Sequence, residues 1–318
     1  MSYQSSFCDL EYSQKKRLTR REKFLNEMEL VVPWLKLIAL IEPYYPKSGR
    51  RGRQPKGLEM MFRIHCMQHW FSYSDRQMED AMYEVESIRR FSGFSSVMDD
   101  LPDETTILNF RHLLEKHKLT GKILEVINDD LKAKGLLVSQ GTMVDATIVH
   151  APSSTKNKAK SRDPDMHQTR KGNQWFFGMK IHVGADVDSG AVHTVTTTAA
   201  NVADITELPK LLREEDAVVF ADAGYTSDSF KRGAKKVGLR WCVNDKRKPK
   251  HNLSASQKRR NRKQSSIRAR VEHVFRVIKQ QFGFQKTRYR GLEKNTSQVN
   301  MLIGLTNLYM LRRKLMAN

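Results

Sequence analysis

The chain has 318 residues, enough for about two domains, and its 56 Lys and Arg against 35 Asp and Glu leave a formal charge of +21. So large a surplus points to a polyanionic partner, with nucleic acid as the first candidate. Three scattered cysteines (Cys8, Cys66, Cys242) with no C-x-x-C pair argue against a disulfide framework or a zinc site, and no apolar run reaches the ~20 residues of a membrane span.

In chain order, residues 1–23 form a polar arm carrying Lys15, Lys16, Arg17, Arg20, Arg21 and Lys23, either solvated or laid along phosphates. Polar residues follow Phe7 at once, so there is no signal-peptide core and the expected location is the cytoplasm. A helical stretch is predicted from the arm to Ile41, with Pro33 suited to a first turn and Pro43 and Pro46 ending it. Residues 47–57 are a basic, glycine-broken loop.

Residues 58–134 read as helical throughout. Leu58, Met61, Phe62, His65, His69 and Trp70 recur at helical spacing on one face. His65 and His69 stand at i and i+4, but with no acid or cysteine beside them they read as packing histidines. Ser74-Asp-Arg-Gln77 has the shape of a capping box, and Asp103 caps a helix over residues 104–117 whose inward stripe is Ile107, Phe110, Leu113 and Leu114. Its outward side offers Thr105, Thr106, Asn109 and His112, which either touch base edges and phosphates or form a solvated face. A helix over 120–134 closes at Gly135. The whole is an α-helical module of helix-turn-helix type, residues 1–135.

The second half, residues 136–318, opens on a strand at 142–149. Its residues are β-branched or small, bounded by Gly141 and Pro152, and Asp145 sits in the middle. A carboxylate there is costly to bury unless it is paired or holds a cation. Residues 153–173, rich in Lys, Ser, Asn and Arg, are expected to be a mobile basic loop. Residues 176–186 and 191–198 read as a hairpin turning at Asp188-Ser-Gly190. Asp204-Ile-Thr-Glu207 reads as a capping box opening a helix to about residue 215. A strand over 218–225 carries Asp222; a helix over 227–237 stops at Gly238, and a strand follows at 239–243. Residues 245–270 crowd together basic side chains, among them Lys248, Lys250, Lys258, Arg259 and Arg260. A helix over 268–279 carries Glu272 beside a stripe of Val271, Val274, Phe275 and Ile278, and an apolar helix over about 297–316 ends the chain.

Strand, strand, strand, helix, strand, helix, strand, helix describes a mixed sheet with a parallel part beside an antiparallel one. It is the element order of the ribonuclease H-like fold, in which the first and fourth strands are neighbours and Asp145 and Asp222 share a coordination sphere. Oxygen-only ligands favour Mg2+ or Mn2+. Two such ions ~3.5–4 Å apart on three carboxylates can activate water or a 3′-hydroxyl.

These motifs resemble those of bacterial insertion-sequence transposases of the DDE class, in the insertion-sequence-5 group, InsH type. Residues 58–70 and 101–106 match the helical part of that group; Val144-Asp-Ala-Thr147 matches its first acid motif and Ala221-Asp-Ala-Gly-Tyr225 its second. Arg268, Glu272 and Lys279 fit the third, Tyr-x2-Arg-x3-Glu-x6-Lys, with Ser265 in place of the tyrosine. The resemblance implies catalytic, metal-binding Asp145, Asp222 and Glu272 with two Mg2+ ions (Mn2+ substituting), and Arg268 and Lys279 on transposon-end DNA. It implies cleavage at the terminal inverted repeats, strand transfer into target DNA, a homodimer or larger synaptic complex, and association with the nucleoid when bound to DNA. Thr106 and Asn109 are the expected base-reading residues, and Lys258, Arg259 and Arg260 phosphate contacts. The alternatives are a metal-dependent nuclease of the same fold and a catalytically idle DNA-binding protein.

Overall fold

The computed structural model describes residues 14–49, 52, 54–158, 160–247 and 251–317. Arg50, Arg51 and Arg53 of the basic loop, Lys248 and Lys250 of the basic segment, and residues 1–13 of the arm lie outside the described residues. The chain divides into two compact units, one of residues 1–126 with 312–318 and one of residues 127–311.

The first unit is helical. Helix α1 (Arg20–Val31) opens on a complete capping box between Thr19 and Glu22. The helical stretch to Ile41 is two helices, with Pro33, which lacks an N–H, at the N-terminal cap of α2 (Trp34–Ile41). Next come α3 (Leu58–Phe71), α4 (Asp75–Glu84), α5 (Glu86–Phe91) and α6 (Glu104–Lys116). The Ser74–Gln77 capping box forms as expected, and Asp103 accepts the Thr106 N–H at 2.7 Å. Helix α3 is buried nearly all round, placing Phe62, Met67 and Trp70 in the core. His65 and His69 are buried in it with ring centroids 4.5 Å apart, and His69 Nδ1 lies 2.9 Å from the His65 carbonyl. Burial, with His69 and Arg111 close by, holds His65 well below its ordinary pKa, so its ring packs in the neutral form. Helix α7 (Leu119–Ala133) continues into the second unit.

The second unit is built on a six-stranded mixed sheet: β1 (Gly141–His150), β2 (His167–Lys171), β3 (Gln174–Asp186), β4 (Val192–Ala199), β5 (Val218–Ala221) and β6 (Arg240–Val243). Strand β3 pairs antiparallel with β1, β2 and β4, whereas β1–β5 and β5–β6 are parallel. The first strand thus lies directly beside the strand that leads to Asp222. The start of β1 is pinned by Thr142, whose hydroxyl donates to Asp216 at 2.5 Å, and Asp216 is held in turn by Arg213 at 2.8 Å.

Three sequence expectations change. Residues 153–173 are not loop throughout: His167–Lys171 forms β2 along β3, with Gly172 at φ 62 in the turn. Asp204 does not cap helix α8 (Asp204–Leu211); Ala203 holds the cap position without a side-chain bond, and the Asp204 carboxylate takes Lys180 Nζ at 2.9 Å instead. The helix expected over 268–279 begins thirteen residues earlier, as α10 (Ala255–Arg276), opened by a Ser254–Gln257 capping box and continued by a π-helical turn, Val277–Gln281. The basic crowd is therefore largely helical and shares one rod with Glu272. Helix α8 packs on Val144, Val219, Ala221, Tyr225 and Val243. Val144 and Asp145 point to opposite faces, and α10 covers the Asp145 face, seated by buried Val271 and Val274. Helix α9 (Asp228–Lys236) joins β5 to β6, and α11 (Leu292–Ala317) ends the chain.

Candidate active site at the ends of the parallel strands

Strands β1 and β5 are in register from Gly141↔Val218 to Met143↔Phe220. Two residues further along each strand direction come Asp145, still within β1, and Asp222, just past the end of β5. Strand β5 ends there: the Asp222 carboxylate turns back to accept the Gly224 N–H at 2.8 Å and caps a 3-10 turn over Ala223–Tyr225. A Cβ at Gly224 would stand 2.9 Å from Asp222 Oδ1, so a larger residue there would displace the carboxylate from this turn. The site therefore lies at the carboxyl end of β5, beside the middle of β1, and the carboxyl ends of parallel strands are where open α/β sheets place their ligands.

Asp145 is enclosed, with 16% of its side chain exposed, and Arg268 of α10 reaches it at 2.5 Å while also touching Glu272 at 3.4 Å. Burial pushes the Asp145 carboxyl up to about 6; Arg268 and the Ala146 N–H pull it down, and the Asp222 and Glu272 charges push it up again. Asp222 and Glu272 are thus both within electrostatic reach of Asp145. Among the described residues no three His, Cys, Asp or Glu side chains are gathered closely enough to hold a metal ion. The three-carboxylate cage expected from the sequence is not closed, because the Arg268 guanidinium occupies Asp145 and leaves Glu272 63% exposed. The donor chemistry nonetheless suits a hard divalent cation, since the ligands on offer are carboxylate oxygens.

Lys279 turns away from the acids and donates to the Ile148 carbonyl at 2.6 Å; burial and nearby Lys171 hold its ammonium below the usual value. Ser265, at the signature tyrosine position, accepts a bond from Asn244 at 2.9 Å and ties the end of β6 to α10. Lys258, Arg259 and Arg260 are exposed on the first half of α10, and Arg260 is paired with Asp245. In the helical unit Asn109 is exposed and Thr106 half-buried, lining one groove with Lys56, Gln54 and Tyr45.

Sequence reasoning gave Tyr225 no role of its own and gave Asp204 a different one. Tyr225 is buried, its hydroxyl has no hydrogen-bond partner, and burial with the charges of Asp204, Asp145 and Asp222 around it raises its pKa. Its signal was a bulky aromatic placed directly after a glycine turn. Asp204, taken for a cap, is the carboxylate that binds Lys180 and stands 3.8 Å from buried His182.

A family model described as "Transposase DDE domain" matches residues 137–308, more than half of the chain, and one described as "Transposase domain (DUF772)" matches residues 12–113. The solved structure of a piggyBac transposase synaptic complex with hairpin DNA is similar over 92% of this chain and 73% of that one, at 8% identity and a TM-score of 0.45. With more than half its length matching that first model, acid-bearing strands included, the chain belongs to the transposase DDE domain family.

Proposed function

We propose that the protein is a DDE transposase of the insertion-sequence-5 group, InsH type, with a ribonuclease H-like catalytic unit. It binds the terminal inverted repeats of its element, cuts the DNA at the ends and joins them to target DNA, as a homodimer or larger assembly on the two ends. One observation carries this reading: β1 and β5 run parallel and in register up to two residues before Asp145 and Asp222, and the charges of Asp222 and Glu272 both bear on Asp145. The antiparallel β4–β3–β1 group continued by parallel β5 and β6 supports the fold assignment.

In this proposal Asp145, Asp222 and Glu272 hold Mg2+, or Mn2+ in its place. Bound there, such ions activate a water or 3′-hydroxyl and stabilise the leaving oxygen of a phosphodiester. Arg268 neutralises Asp145 until the site is loaded, and then releases it to contact DNA. Lys279 holds the edge of β1, and the exposed cations of α10 bind phosphates without reading sequence. The helical unit reads the ends through Thr106 and Asn109.

The test is strand cleavage of a supercoiled plasmid carrying the element with its flanking ends. Asp145→Asn, Asp222→Asn and Glu272→Gln should each abolish Mg2+-dependent cleavage while gel-shift affinity stays within a few-fold of wild type. Near wild-type cutting by any one of them removes that residue from the site, and robust cutting in excess chelator ends the metal-dependent reading.

A further inference from the structure

The basic stretch expected to be loop contains a structured arm. Strand β2 and the start of β3 pair from His167↔Gly178 to Lys171↔Gln174, a two-stranded ribbon closed by Gly172 and Asn173. The base of the ribbon is fixed. Met166 is buried, the Ala151 N–H donates to the Phe177 carbonyl at 2.8 Å, Phe176 packs on His150 with ring centroids 5.2 Å apart, and the Arg162 guanidinium lies 5.3 Å from the Phe177 ring. Its acids are engaged at that base as well: Asp163 accepts the Gly291 N–H and Asp165 the Leu292 N–H.

The tip is different. Trp175 is 64% exposed, and the Arg170 guanidinium, its partner across the ladder, lies 5.9 Å from the indole ring. An indole left in water at the end of a ribbon adds little to folding, since it buries little area. Between His167 and Trp175 the ribbon carries Arg170 and Lys171 and no acid. The register pairs Asp145 with Val183 and His150 with Gly178, so the ribbon continues past the end of β1 and its tip stands eight residues along β3 from the partner of Asp145, ~26 Å away. A flat aromatic face flanked by cations suits a ligand with flat faces and negative charges, which is DNA with a base free to stack. The local charge makes it a poor match for a second copy of this +21 chain.

We infer that the β2–β3 ribbon is a DNA-contacting arm whose Trp175 stacks on an unpaired or unstacked base of DNA that extends beyond the acid site. This rests on the DNA-processing function proposed above. The full-length protein is titrated, in chelator, against two fluorescein-labelled mixed-sequence duplexes, one fully paired and one with a single unpaired 2-aminopurine. Wild type should prefer the unpaired duplex and quench the 2-aminopurine. Trp175→Ala should lose that preference by about ten-fold or more, with quenching abolished, and Trp175→Phe should keep most of both. Thermal melting should be unchanged in both variants, since the side chain is exposed. Wild type that binds neither duplex removes the DNA-processing function and the arm together. Wild type that binds DNA, with Trp175→Ala matching it on both duplexes, overturns the arm alone, as does a Trp175→Ala effect seen only as altered sedimentation of the free protein.

Discussion

Arg268→Gln probes the site most directly, because the guanidinium is the positive charge that the structure gives Asp145. At an effective dielectric of ~20, unit charges ~4 Å apart attract by about 4 kcal/mol, and removing one partner of a buried pair costs about 3–5 kcal/mol. Arg268 and Asp145 keep 17% and 16% of their side chains exposed, so some solvent screening applies and the expected loss is about 2–4 kcal/mol at pH 8. The pH dependence has a definite sign. Burial already lifts the Asp145 carboxyl to about 6 in the folded state, above its ordinary value. Charged Asp145 therefore weighs against the fold above pH ~6, and protonation relieves this as pH falls towards ~4. The Arg268→Gln deficit should be full at pH 8 and shrink at pH 5. Mg2+ should restore more stability to the variant than to wild type, since a cation replaces the missing charge. Urea denaturation at both pH values, with chelator and then with Mg2+, measures all three quantities. A deficit below ~0.5 kcal/mol at pH 8 would mean a solvent-screened surface pair, and a deficit unchanged at pH 5 would show that Asp145 is not the group left exposed to it; either result refutes the reasoning.

Four further outcomes are expected. Asp186 is pushed up by burial, but N–H and O–H donors from Ser139 and Ser189 outweigh this and hold its carboxyl below the usual range. Its stabilisation is present above its unfolded pKa and lost as pH falls through the folded value, so Asp186→Asn should cost about 1–3 kcal/mol at pH 7 and flatten the acid limb of a stability–pH curve; an unchanged acid limb would count against it. Tyr225→Phe removes a buried hydroxyl without a partner and should leave the melting temperature unchanged or raised, whereas a loss above ~1 kcal/mol would show that the hydroxyl is satisfied. Asn109→Ala should erode the preference for end DNA over scrambled duplex by about 1–3 kcal/mol. Neutralising Lys258, Arg259 and Arg260 should weaken both alike and flatten the salt slope by about 0.9 per lost contact. Gel-shift titrations at two salt concentrations separate them, and an unchanged end-to-scrambled ratio in Asn109→Ala would discard it as a reader.

What the sequence alone determined is local or periodic. The Ser74–Gln77 box, the Asp103 cap, the turn after Asp188 and the β-branched strand around Asp145 depend on neighbours a few residues away, and each formed where expected. The chemistry of the site was legible for the same reason: an aspartate in an apolar strand and another before a glycine turn are visible as residue types. The start of α10 was also within reach through Ser254 and Gln257, but the run of cations after it concealed the helix. Tertiary structure alone decided the rest. His167–Lys171 has no apolar alternation and becomes a strand because β3 offers it an edge with unpaired N–H and C=O groups. Asp204 left its cap position for a lysine on β3, and Arg268 closed on an aspartate 123 residues earlier in the chain. Those pairings are set by which charges burial leaves uncompensated, a quantity that exists only once the sheet and its helices have brought distant parts of the chain together.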